Sequence, residues 1–175
     1  SVLFGHQKSE RLVALFLRAR AAVYEIVGCT VKENIARAPA VYRDIHPDYG
    51  TLDQFKKVLN KAHELGMYVL MDLVINHTSD EHTWFLESKK SRDNPYSDYY
   101  IWRDPLTIKG KRLPPNNWFS QFEGLAWEYC EEREQFYLHI FARKQPDLNM
   151  DNPVVRNEVK EIMRFWLDMG VDGFR

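Results

Sequence analysis

The sequence predicts a parallel α/β fold, and three observations carry that expectation. A capped amphipathic helix runs directly into a nearly continuous apolar stretch over residues 51–75. The same order, helix and then strand, returns over residues 152–175. Between the two units lies a long polar and aromatic segment, 78–152, far longer than the roughly 2–6 residues that usually join elements of a compact α/β domain.

The first unit opens on Thr51, followed three residues later by Gln54, the spacing of a capping box in which each side chain serves a free backbone donor. Phe55, Val58, Leu59, Ala62 and Leu65 then recur on one helical face, and Gly66 is a residue that tolerates the left-handed conformation of a helix end. Tyr68–Ile75 is apolar almost throughout, as suits a parallel strand buried on both faces. In the second unit Asn152 and Pro153 fit the N-cap and first helical positions. Val155, Val159, Ile162, Met163, Trp166 and Met169 form the apolar face, Gly170 ends the helix, and Val171–Arg175 begins another strand.

The intervening segment leaves from the C-terminal end of a strand, the end at which α/β proteins place their sites, so Asn76 and His77 are candidate site residues by chain geometry. More than half of the aromatic residues lie between Thr78 and Asn152. Trp84, Phe85, Trp102, Trp118, Phe119 and Trp127 are expected mostly to fill the core of this insertion, with a minority facing a cleft, where aromatic faces suit the C–H faces of sugars.

Composition excludes several classes. A net charge of −1 with 28% charged residues gives no basic patch for nucleic acid, and no apolar run is long enough to span a bilayer. The N-terminal residues do not show the basic, apolar and small-residue order of a signal peptide. Two cysteines, Cys29 and Cys130, make no disulfide framework, so a cytoplasmic location is expected.

Three residues carry candidate chemistry. Asp72 interrupts an apolar strand, where a carboxylate needs a partner; a structural acid holding a neighbouring loop or arginine is favoured over direct chemistry. His77 closes the strand, with a structural role and a ligand contact both open. Arg175, at the start of the next strand, is placed to hold a carboxylate ionised. Other patterns fail on spacing. His77, Glu81 and His82 do not match either metalloprotease arrangement. Asp147, Asn149, Asp151 and Glu158 occupy calcium-loop positions, but Asn152 replaces the turn glycine and Pro153 follows it, so no metal site is assigned.

Met71–Phe85 resembles the first signature region of glycoside hydrolase family 13, the α-amylase superfamily. Tyr99–Asp104, Pro115–Trp118, Ala126–Tyr129 and Tyr137–His139 are similar to the inserted lobe of its oligo-1,6-glucosidase and α-glucosidase branch. Gln145–Asn149 resembles a signature of that branch, and Gly173–Arg175 the opening of the nucleophile region. The likeness runs from Tyr42 to Arg175.

The resemblance implies a partial (β/α)8 TIM barrel with an inserted lobe (domain B) after the third strand. Residues 42–77 would supply a barrel helix and the third strand, 78–147 the lobe, and 148–175 a further helix and the start of the fourth strand. It implies that His77 binds sugar hydroxyls and that Arg175 keeps the nucleophile charged, with Asp72, Asn76, Gln145, Asp147 and Asn149 structural at the site. The nucleophilic aspartate is expected two residues beyond Arg175 and the general acid further on, so no catalytic residue is assigned within the chain. Residues 1–41 depart from the family, with Ile35–Val41 in place of its usual substrate-gripping motif, and a frameshift, splice or truncation is expected there ahead of a targeting segment. The implied activity is retaining hydrolysis of terminal α-glucosidic bonds in short oligosaccharides, by a monomer, without a cofactor; calcium belongs at most to full-length relatives. Sucrose isomerase and trehalose-6-phosphate hydrolase are the alternatives within the family, and a non-catalytic interaction protein the alternative outside it. The 175-residue chain alone is expected to be inactive and marginally folded.

Overall fold

The computed structural model describes residues 42–45, 49–122 and 124–175, and the expectations for 1–41 lie outside the described residues. The described residues form two compact units: one holds residues 43–73 and 162–175, the other Tyr42 and residues 74–161.

In the first unit, helix α1 (Leu52–Glu64) begins with the predicted capping box: Thr51 accepts from the Gln54 backbone N–H, and Gln54 accepts from that of Thr51. Its end is a Schellman motif, with Gly66 N–H donating to His63 O and Met67 N–H to Ala62 O, both at 2.9 Å. Gly66 has a φ of 72°, which an L side chain rarely adopts. Strand β1 (Leu70–Met71) follows. The last helix of the chain, α3 (Pro153–Met169), ends in the same way: Gly170 N–H donates to Leu167 O at 2.9 Å and Val171 N–H to Trp166 O at 3.1 Å. It feeds strand β7 (Gly173–Phe174), which pairs in parallel with β1, Leu70 opposite Gly173 and Met71 opposite Phe174. Further bonds from Asp172 N–H to Val69 O and from Leu73 N–H to Arg175 O extend the contact on both sides. Two helix–Schellman–strand units laid side by side are the parallel α/β arrangement that the sequence predicts.

The strand expected over Tyr68–Ile75 is paired as a ladder only at Leu70–Met71, and its apolar run is partly exposed, Leu70 at 39% and Tyr68 at 50%. Full cover needs strand neighbours on both edges and helices on both faces, and among the described residues β1 pairs with β7 alone. Helix α1 buries a narrower stripe than predicted. Phe55 and Leu59 are buried, with the Phe55 ring edge-on to Trp166 at 5.5 Å, while Val58 and Leu65 stay exposed.

The second unit contains helix α2 (Thr83–Ser88), a 3-10 turn (Ser97–Tyr99), and five short strands: β2 (Trp102–Arg103), β3 (Leu106–Ile108), β4 (Lys111–Leu113), β5 (Trp127–Cys130) and β6 (Gln135–Leu138). Strands β2, β6 and β5 form an antiparallel sheet in that order, and β3 with β4 a separate hairpin. Lys109 and Gly110, both at positive φ, make the hairpin's two-residue turn. Strands this short bury little by themselves, so rings hold the unit together. Phe85 stacks on Trp102 at 5.7 Å and meets Tyr100 and Tyr137 edge-on, each at 5.1 Å. Leu148 and Val155 close this cluster. Ala126, Trp127, Phe136 and Leu138 form a second cluster, whereas Trp118 and Phe119 are exposed, Phe119 at 71%.

A buried cation ties the segments together. Arg133 donates from Nε to Gln135 Oε1 and from Nη2 to Ser97 Oγ, at 2.7 and 2.8 Å. Its Nη1 reaches the carbonyls of Ser88 and Ser91, and its plane lies 4.6 Å from the Trp102 ring. The guanidinium fork matches several carbonyl acceptors at once.

Candidate functional site

The site grows from one antiparallel contact in the second unit. Residues 76–78, after the end of β1, run against 146–148: Leu148 N–H donates to Asn76 O at 2.9 Å and Thr78 N–H to Pro146 O at 3.2 Å. This pairing sets His77 opposite Asp147. It brings together four of the residues singled out in the sequence, Asn76, His77, Gln145 and Asp147.

Asp147 is buried, and its Oδ1 accepts from Asn76 Nδ2 and from Ile140 N–H, each at 3.2 Å. Burial pushes its carboxyl up to about 7, against the lowering effect of those two donors. His77 is also buried, and that burial holds its imidazole below the usual histidine range, so the ring is neutral near pH 7. The ring lies 5.2 Å from Phe141, and Phe141 lies 6.1 Å from the exposed Phe122. His77 Nε2 is 3.1 Å from Gln145 Nε2, while Gln145 Oε1 accepts from Ala142 N–H at 3.0 Å. Behind the ring, Tyr42 OH donates to the His77 carbonyl at 3.2 Å, and Thr78 Oγ1 meets Tyr100 OH at 2.7 Å. A neutral imidazole set among carboxamides and beside aromatic rings can exchange hydrogen bonds with hydroxyl groups and offer an apolar face to a ring.

Asn149 stands apart from this group. Its Nδ2 donates to Asp98 O at 3.1 Å, which fastens the 3-10 turn. Asp72 and Arg175 belong to the other unit, where Arg175 Nη1 lies 3.7 Å from Asp72 Oδ2. Asp72 thus faces an arginine from the neighbouring strand. Among the described residues, no group of three or more His, Cys, Asp and Glu side chains could hold a metal ion. His82, part of the rejected metal pattern, caps α2 by accepting from Trp84 N–H at 3.1 Å.

Three contributors were not singled out in the sequence: Phe141, the Ala142 N–H and the Ile140 N–H. The backbone donors leave no sequence signal at all. Phe141 did carry one, an aromatic four residues before Gln145, but its position beside His77 depends on pairing across more than sixty residues of chain.

The chain matches known proteins in sequence and in fold. A model of the α-amylase catalytic domain matches residues 39–175, and the chain belongs to that family, glycoside hydrolase family 13, whose members are (β/α)8-barrel enzymes. It is 59% identical over 134 residues to the oligo-1,6-glucosidase of Parageobacillus thermoglucosidasius, covering 77% of this chain and 23% of that protein. It is 50% identical over 135 residues to an α-glucosidase of Schizosaccharomyces pombe, covering 77% of this chain and 23% of that protein. Among solved structures, the trehalose-6-phosphate hydrolase of Bacillus licheniformis is 44% identical with a TM-score of 0.76, covering 83% of this chain and 26% of that one. The trehalulose synthase of Pseudomonas mesoacidophila is also 44% identical, with a TM-score of 0.75, covering 84% of this chain and 26% of that one. The chain thus spans about a quarter of the length of the relatives it matches.

Proposed function

We propose that the protein carrying this chain is a retaining α-glucosidase that removes terminal glucose from short α-glucosides. The observation that carries the reading is the 59% identity over 134 residues to an oligo-1,6-glucosidase; Met71–Phe85 and Gln145–Asn149 both lie within residues 39–175, which match the family. The contact between these two motifs at His77 and Asp147 supports it. The relatives are carbohydrate-active enzymes, and the substrate inferred here is an oligosaccharide.

In this reading His77, neutral and flanked by Phe141, hydrogen-bonds hydroxyls of the bound glucose. Asp147 and Asn76 hold the loop that presents it. Arg175, oriented by Asp72, keeps a nucleophilic carboxylate ionised. That nucleophile, two residues beyond Arg175, and the general acid lie outside these residues. The reaction proceeds through a glucosyl-enzyme, with one carboxylate attacking and the other acting first as acid and then as base. The finer architecture belongs to the same proposal: residues 78–147 form a lobe inserted after the third strand of a barrel. No nucleotide or metal cofactor enters the reading, the enzyme is proposed to be a monomer, and two cysteines without a disulfide framework favour a cytoplasmic location. Among the described residues no helix is long and apolar enough to cross a membrane.

The test is a substrate panel with the full-length protein. Glucose release from isomaltose or maltose is expected. Conversion of sucrose to isomers without net hydrolysis would assign the protein to the isomerases, and turnover confined to trehalose 6-phosphate would assign it to the phosphate-specific hydrolases. Silence on all four sugars would leave the non-catalytic interaction reading.

A further inference from the structure

We propose that Gln145 is a positioning residue that sets the tautomer of His77, keeping the imidazole proton on Nδ1 and the lone pair on Nε2. The inference deepens the reading of His77 as the sugar-binding histidine and rests on it.

One donor beside Gln145 cannot be reversed. Ala142 N–H points at Gln145 Oε1 at 3.0 Å, so the backbone decides which end of the carboxamide is which. Turning the amide over would face one N–H with another and leave a backbone donor without its partner. With the oxygen committed to Ala142, the amide nitrogen faces His77 Nε2 at 3.1 Å. An amide nitrogen only donates, so Nε2 must accept. A neutral imidazole has one protonated nitrogen and one lone pair, and the remaining proton is therefore on Nδ1. The other neighbour is the weaker director. Asn76 Nδ2 lies 3.3 Å from Nδ1, the longer of the two contacts, and its carboxamide is oriented only by the Asp147 carboxyl, 3.2 Å from Nδ2. Asp147, protonated, can donate to the Asn76 oxygen as readily as accept from its nitrogen, so the Asn76 amide can turn to offer its oxygen to Nδ1–H, whereas the Gln145 amide is held by a backbone donor. Phe141 packs against the ring and limits its rotation.

The consequence is a rule for the ligand. A sugar hydroxyl that reaches the Nε2 edge meets an acceptor and must donate its proton there, in exchange for or alongside the Gln145 amide. Gln145 thereby selects the sense of the hydrogen bond without performing any chemistry itself.

Histidine-selective 15N NMR on the intact protein, at a pH where the ring is neutral and without substrate, reads the tautomer directly. The His77 signals are assigned by their absence from His77→Gln. The wild type is expected to show Nδ1 in the protonated range and Nε2 in the lone-pair range. Gln145→Glu keeps the shape and keeps an oxygen for Ala142 N–H, but turns an acceptor toward Nε2; the two nitrogens are expected to exchange character. A wild type protonated on Nε2, or ring shifts unchanged in Gln145→Glu, would overturn the proposal. The wild-type spectrum decides by itself if the variant does not fold. Because no substrate is present, the result is separate from whether the protein hydrolyses α-glucosides.

Discussion

Asp147 and His82 lie in the same unit and respond to pH in opposite senses. Asp147 keeps its proton in the folded state up to about pH 7, while in the unfolded chain it ionises near its ordinary 3.8. Between those values the unfolded state binds fewer protons, so this carboxyl lowers stability as pH rises and then has no further effect. Asp147→Asn retains an oxygen for Asn76 and Ile140. Its melting temperature relative to wild type is expected to rise from about pH 4 to about pH 7 and to level off above. His82, buried and lowered from 6.5 to about 4, contributes stability that is complete above pH 6.5 and lost as pH falls toward 4. His82→Asn, which can still cap Trp84 N–H, is expected to flatten that acid-side decline in thermal scans across the same range. Arg133 poses a different problem, since a lysine keeps the charge but not the fork. Arg133→Lys is expected to cost about 2–3 kcal/mol in urea unfolding, because Gln135, Ser97 and two carbonyls would compete for one ammonium group. Full retention of stability in that variant would contradict the role assigned to the fork.

At the scale of elements, the two helix ends make a comparison possible. Gly66 and Gly170 both sit at positive φ in Schellman motifs. A Cβ at Gly66 would meet nothing within 4 Å, whereas one at Gly170 would lie 3.4 Å from Leu59 Cδ2. Gly66→Ala is expected to cost about 1 kcal/mol from backbone strain alone, and Gly170→Ala more, as measured by chemical denaturation. Equal costs would show that the Leu59 contact relaxes freely. These helices were legible in the sequence because caps, face and stop are local: Thr51 with Gln54, Asn152 with Pro153, and each glycine speak within a few residues. The strands of the second unit were not. β2 to β6 are two to four residues long, and their pairing is imposed by rings such as Phe85 and Trp102 meeting across the chain rather than by an alternating pattern. The apolar run at β1 was legible, and its exposed side accords with what such a run reports: what a strand is suited to meet and not which neighbours it has. His77, Asn76, Gln145 and Asp147 were legible as candidates through their motifs. Their union is a matter of register, and the roles of Ala142 and Ile140 reside in backbone groups that every residue type possesses.

For the whole molecule, the family follows from residues 39–175, while the activity belongs to a protein of which this chain spans about a quarter of the relatives' length. The described residues hold a buried histidine in a polar and aromatic setting, and an arginine beside Asp72. In the proposed function these two bind and orient a glucosyl group whose bond is broken by carboxylates outside the described residues. The central claim is retaining hydrolysis of an α-glucoside, and the anomer released first tests it most directly. Proton NMR of the full-length protein acting on p-nitrophenyl α-glucoside, whose leaving group is not a sugar, recorded before mutarotation, is predicted to show α-glucose appearing first. Initial release of β-glucose, or no glucose at all, would contradict the account.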